Sequence, residues 1–119
     1  MRITEITNST WYHGTTDNVL DSIRTNGLQP GADGLVWLTR DRDVAYHNGA
    51  LRQWHQYKRK VNPVIVTLNI PIDTTSTDTT VKGSIDPKYI VDIGLTPREQ
   101  DDVEWHQRVN QQRKASNRS

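Results

Sequence analysis

Cysteine is absent from the 119-residue chain, which excludes disulfides, thiolate zinc sites and cysteine nucleophiles together. Phenylalanine is absent as well, and methionine occurs once. No run approaches the ~18 consecutive apolar residues of a membrane span, and residues 1–20 carry no apolar signal core. A cytoplasmic protein without a membrane partner is the expectation. Neither sign of charge dominates, with 15 Lys+Arg against 14 Asp+Glu, so no global field steers the chain toward nucleic acid or membrane. The length is one domain's worth and leaves no room for a separate substrate-binding domain. The expected organisation is a single domain over 1–119, with its core at about 11–109 and a basic, flexible tail over 110–119. GxGxxG, GxxxxGK[ST], HExxH and GxSxG are all missing. The histidines His13, His47, His55 and His106 show no ligand spacing beyond His47 and His55 two helical turns apart, so no metal is expected.

What the chain does have is four Trp and four Tyr. A core this small must be completed by aromatic side chains that carry a polar atom, and such residues also make ligand platforms. Residues 1–10 read as a lead-in with an edge strand, followed by Trp11–Thr15. Thr16 or Asp17 then caps a short helix with Val19, Leu20 and Ile23 on one face, closed by Gly27 and its apolar partner Leu28. A loop over 30–34 leads to a short buried strand over 35–39. Asp41 caps a longer helix to about Lys58, with Val44, His47, Leu51 and Trp54 on one stripe. Pro63 opens a second buried strand over 64–70, and 73–80 is a Thr-rich loop. A turn over 83–87 precedes a strand over 89–93, and Thr96, Pro97 and Glu99 fit the start of a final helix as a capping box. The strands are too irregularly spaced for a doubly wound parallel sheet, so the fold class is α+β.

Four segments in order carry a resemblance: Tyr12–His13–Gly14–Thr15, Gly27–Leu28–Gln29–Pro30, Val36–Trp37–Leu38–Thr39 and Ile85–Asp86–Pro87–Lys88–Tyr89–Ile90. Over about residues 11–93 the chain resembles the ADP-ribosyltransferase fold of the diphtheria-toxin and poly(ADP-ribose) polymerase type. It is similar also to small bacterial members such as the rifampin ADP-ribosyltransferases. The resemblance implies a split, mostly antiparallel β core flanked by short helices, with NAD as substrate between the strand ending at His13 and the strand carrying Trp37. The implied reaction breaks the bond between ribose and nicotinamide through an oxocarbenium-like state and passes ADP-ribose to an acceptor. That chemistry needs neither metal nor thiol.

Carried over by resemblance, His13 hydrogen-bonds the ribose of the adenosine side and Gly14 offers its backbone to the nicotinamide carboxamide, with Thr15 as a secondary polar contact. Trp37 falls where the family has a Tyr, and presents either a flat face to a ligand or a core indole. His47, and second Tyr46, fall near the family's other nicotinamide-stacking Tyr. The family's late glutamate has no counterpart. Its position falls on Asp78, which is either the acid that stabilises charge on the ribose or an ordinary turn aspartate. Asp73 is the near alternative and Glu104 the distant one. Trp11 and Trp37 flank the expected cleft, while Trp54 and Trp105 fall on helical stripes as core.

Two other readings share the chain. RNA 2′-phosphotransferases resemble it through the same His-Gly-Thr segment and consume NAD, but carry an additional N-terminal domain for which the chain is too short. A non-catalytic nucleotide- or nucleic-acid-binding module on the same fold is the other. Residues 52–60 carry Arg52, Lys58, Arg59 and Lys60 without an acid, interleaved with Trp54, His55 and Tyr57 that can stack on bases.

Overall fold

The computed structural model describes residues 9–58, 60–72 and 74–116, with side chains through residue 109. The lead-in before Ser9, together with Arg59 and Asp73, lies outside the described residues. Along the chain come β1 (Ser9–Thr16), a 3-10 turn (Asp17–Val19), α1 (Leu20–Asn26), β2 (Leu35–Thr39) and α2 (Arg42–Val44). A π-helical stretch (Ala45–Leu51) then runs into α3 (Arg52–Gln56) and β3 (Pro63–Ile70). β4 (Asp78–Lys82), a 3-10 turn (Pro87–Tyr89), β5 (Ile90–Gly94) and α4 (Pro97–Ser116) complete the order. The strands form one sheet in the order β4-β2-β1-β3-β5, and every pairing in it is antiparallel. The fold is α+β.

β1 is the central strand, not an edge, because β2 and β3 both pair with it. β4 begins within the last three residues of the stretch expected to be a Thr-rich loop and runs on to Lys82. Thr79 and Val81 turn partly inward while Asp78, Thr80 and Lys82 face solvent, a period of two that so few apolar residues conceal.

Strand alternation gives the sheet two faces. One carries Trp11, Val36, Leu38, Val66 and Leu68, packed with Ile23 of α1 and with Leu28 and Ile85. Trp11 is fully buried here rather than beside a cleft; removing a side chain of this kind from water contributes ~1.5–3 kcal/mol. Gly27 makes this layer possible. Its φ is 81°, and a Cβ on it would stand 1.7 Å from the Ile85 carbonyl oxygen. Leu28 and Ile85 then exchange backbone hydrogen bonds of 3.0 and 2.9 Å.

The opposite face is covered over β1 and β3 by the helical stretch after Asp41 and by Val103 of α4. Asp41 caps as expected, accepting from the Asp43 and Val44 N–H groups at 2.9 and 3.4 Å. The helix does not keep its 3.6-residue period. Through the π-helical stretch Tyr46, Ala50 and Leu51 turn inward and His47 turns out, which overturns the stripe that ran through His47. The contact with β1 is backbone on backbone. A Cβ at Gly14 would lie 1.9 Å from the Ala45 carbonyl oxygen and 2.4 Å from the Ala50 nitrogen. One at Gly49 would lie 2.8 Å from the Gly14 Cα.

α4 starts with the expected capping box. The Glu99 N–H donates to Thr96 Oγ1 at 3.2 Å, and the Thr96 N–H donates to Glu99 Oε1 at 2.9 Å. Arg42 donates to both Glu99 carboxylate oxygens, at 2.9 and 2.8 Å, and so ties α4 to α2. Burial disfavours the Glu99 charge, but the Arg42 guanidinium and the Thr96 N–H hold its carboxyl below the usual carboxylate range. The backbone stays helical to Ser116, past residue 110 where the expected flexible tail begins. Trp105 is 52% exposed on this helix, not core, whereas Trp54 on α3 is fully buried. Among the described residues, no helix is long and apolar enough to cross a membrane.

Candidate functional site

β1 and β2 pair in register only at Tyr12 and Thr39. Beyond that pair the two strands part, and the first residue to feel the gap is His13. Its Nδ1 bridges to the Trp37 carbonyl oxygen at 2.8 Å, a side chain standing in for a missing ladder bond. A carbonyl can only accept, so Nδ1 carries the proton. Burial pushes the His13 pKa below the ordinary imidazole value, against the opposing pull of that bond. The ring is therefore neutral near pH 7, and Nε2 is left as an acceptor.

At this gap the molecule has a cleft of about 500 Å³. β1 lines it with Tyr12, His13 and Gly14, β2 with Trp37, Leu38 and Thr39, and β4 with Asp78. The helical stretch forms the other wall through Val44, Ala45, Asn48 and Gly49, continued by Arg52 and Gln53 at the start of α3. The register explains the floor. Tyr12 stands opposite Thr39, and Thr39 opposite Asp78, so one row of one sheet face runs across β1, β2 and β4. Sequence alone cannot bring Asp78 there, since only the placement of β4 beside β2 does so.

Of the residues singled out in the sequence, His13, Gly14, Trp37 and Asp78 meet at this cleft. Thr15 stands behind it, buried, and donates its hydroxyl proton to Gln53 Oε1 at 3.1 Å. Tyr46 does not line the cleft. It is buried toward α4, where its hydroxyl donates to Asp102 Oδ2 at 2.7 Å, and burial followed by that carboxylate raises its pKa well above the ordinary phenol value. His47 does not line it either, because the π-helical stretch turns it to solvent. Glu104 is exposed on α4 and is no part of the cleft.

Trp37 is 61% exposed, so the buried-strand reading of this residue is corrected. Its neighbours Val36 and Leu38 face the core, which leaves the indole on the cleft side. The indole N–H donates to Asp33 Oδ2 at 3.1 Å, and the other oxygen of the same carboxylate accepts the Leu35 N–H at 3.0 Å. These two bonds, the Trp37 one foremost, hold the Asp33 carboxyl below the usual carboxylate range.

Sequence reasoning missed Asp33, Asn48 and Gln53 as neighbours of the site. Arg52 belongs to the basic stretch over 52–60 and also lines the cleft. The available signal was Asn48–Gly49 in mid-helix, two poor helix formers together, which mark the place where the backbone approaches Gly14. Of the patch itself, Lys58 and Lys60 are exposed just after α3, but buried Trp54 offers no base-stacking face.

No family model matches the chain. It does have a curated relative. The chain is 40% identical over 58 residues to a probable RNA 2′-phosphotransferase of Streptomyces griseus subsp. griseus. That match covers 49% of this chain and 26% of the relative, so the similarity spans about a quarter of that protein.

Proposed function

We propose that this chain consumes NAD at the β1–β2 cleft and transfers ADP-ribose to a phosphorylated RNA. The observation that carries the reading is the meeting of His13, Gly14, Trp37 and Asp78 at a single gap in the sheet. The 58-residue similarity to a probable RNA 2′-phosphotransferase favours a 2′-phosphate as the acceptor. Arg52 on the cleft wall supplies a cation for that phosphate, and exposed Lys58 and Lys60 extend the basic surface for the RNA backbone.

In this reading the neutral His13 ring accepts a ribose hydroxyl proton at Nε2. Gly14 keeps its peptide groups close to the carboxamide, and Trp37 gives the ring a face to stack on. Thr15 holds Gln53 in place at the wall instead of touching NAD itself. As the bond between ribose and nicotinamide breaks, its electron pair goes to the ring nitrogen and positive charge grows on the ribose. The Asp78 carboxylate stabilises that charge while a phosphate oxygen attacks. Tyr46 and His47 have no part in NAD contact.

A second reading keeps this first step and changes the acceptor, giving ADP-ribosylation of a protein or small molecule. The carboxylate at Asp78 serves both. The test measures nicotinamide released from NAD⁺ with RNA oligonucleotides that carry or lack one internal 2′-phosphate. Release that requires the 2′-phosphate supports the first reading. Release indifferent to it transfers the case to the second, and no release with either oligonucleotide or with cell extract defeats both.

A further inference from the structure

An indole that is 61% exposed is ordinarily free to turn, yet Trp37 is held. The Asp33 carboxylate takes its N–H at 3.1 Å and the backbone N–H of Leu35 at 3.0 Å, so both oxygens of this loop residue are engaged by the start of β2. The loop is itself anchored. Gly34 accepts from the Gly83 N–H at 3.0 Å, which fixes it to the end of β4, and Gly31 donates to the Leu35 carbonyl at 3.1 Å. The edge of the indole that could donate a hydrogen bond is consumed, and its π face is what remains for a ligand at the cleft.

The partner of that edge is an anion. A carboxylate on the indole N–H pushes electron density into the ring and places negative charge beside it, and both effects favour a cation over the face. We propose that Asp33 is a positioning residue that makes Trp37 a platform selective for a cationic aromatic ring, the pyridinium of oxidised nicotinamide. This rests on the NAD reading above and adds to it a charge selectivity and the residue that creates it.

The selectivity has a direction along the reaction. Breaking the bond between ribose and nicotinamide sends the bonding electrons to the ring nitrogen, so the ring passes from cationic to neutral. The platform therefore holds the substrate ring and loosens its grip on the released nicotinamide. Because its attraction weakens toward the transition state, it stabilises bound NAD⁺ more than the transition state, so removing it raises KM and kcat together and leaves kcat/KM nearly unchanged.

The test uses 1-methylnicotinamide as the cationic probe and nicotinamide as its neutral counterpart. Tryptophan fluorescence is titrated in a Trp105→Phe background, which removes the other highly exposed indole among the described residues. About fivefold tighter binding of the cation is expected, falling toward equality in Asp33→Asn, in keeping with ordinary cation–π strengths. Acrylamide quenching run beside it reports whether the indole has stayed exposed in the variant. For turnover, Asp33→Asn should raise KM for NAD⁺ about fivefold and raise kcat with it, so that kcat/KM changes little. Equal affinity for the two probes, or a preference that survives in Asp33→Asn, overturns the proposal. If NAD⁺ still raises the melting temperature in that case, the functional reading stands without the platform. A cation preference at Trp37 with no response to NAD⁺ does the reverse.

Discussion

One face of the sheet is built in two ways. Over β1 and β3 it is closed by the π-helical stretch, with Gly14 and Gly49 allowing backbone to lie on backbone. Over β2 and β4 the same face is open, and carries Trp37, Thr80 and Asp78 in solvent. The strands continue across the boundary, so strand propensity does not decide where the cleft falls. What decides it is the absence of a side chain at Gly14 on one side and the exposed, tethered indole of Trp37 on the other. His13 stands at the boundary and spans the parting strands through the Trp37 carbonyl.

The closed half should be the more fragile. Gly14→Ala puts a methyl 1.9 Å from the Ala45 carbonyl oxygen, and neither backbone can retreat without breaking its own hydrogen bonds. A loss of ~3 kcal/mol or more is expected in denaturant titration. A melting curve equal to that of the wild type would erase the distinction between the halves.

Next in size is the Arg42–Glu99 link that fastens α4 beside the closed half. Glu99→Gln leaves the guanidinium with a neutral partner and should cost ~2 kcal/mol at pH 7. Since the folded-state carboxyl is held below its ordinary value, this contribution is present above ordinary carboxylate pKa values and fades as pH falls through the folded one. Stabilities of wild type and Glu99→Gln should therefore converge in acid. Curves that stay parallel down to pH 3 would remove Glu99 from this role.

The boundary residue responds to pH in a milder range. The His13 pKa is lowered in the folded state, so the unfolded chain binds the proton more readily. Stability should be complete above the ordinary value near 6.5 and decline as pH falls below it. In His13→Gln that decline should be smaller, as read from melting temperatures between pH 7.5 and 5. The smallest effect belongs to the open half. Trp37→Ala should change stability by ~0.5 kcal/mol or less while abolishing response to pyridinium ligands, and a large loss of stability would make the indole structural.

Much of the framework was legible because its signals are local. The Thr96–Glu99 capping box, the Asp41 cap and the Gly27–Leu28 helix end each depend on a few adjacent residues, and each forms. The phase of β1 was not legible, since Trp11 and Tyr12 are both large aromatics and only tertiary packing decides which one enters the core. β4 escaped notice because Asp78–Lys82 buries little and is defined mainly by its pairing with β2. The helix after Asp41 misled on His47 and Tyr46 because a 3.6-residue period was applied where one π-helical stretch breaks it. Of the cleft's lining, His13, Gly14, Trp37 and Asp78 were marked by the family resemblance. The tether at Asp33 and the cation at Arg52 required the loop and the helix to be in place.

The decisive observation is thermal unfolding with and without millimolar NAD⁺ in wild type and His13→Ala. Binding at the gap between β1 and β2 should raise the wild-type melting temperature by several degrees and leave His13→Ala unmoved. An unshifted wild type, or an equal shift in both proteins, would mean that the open half of the sheet face is not an NAD site.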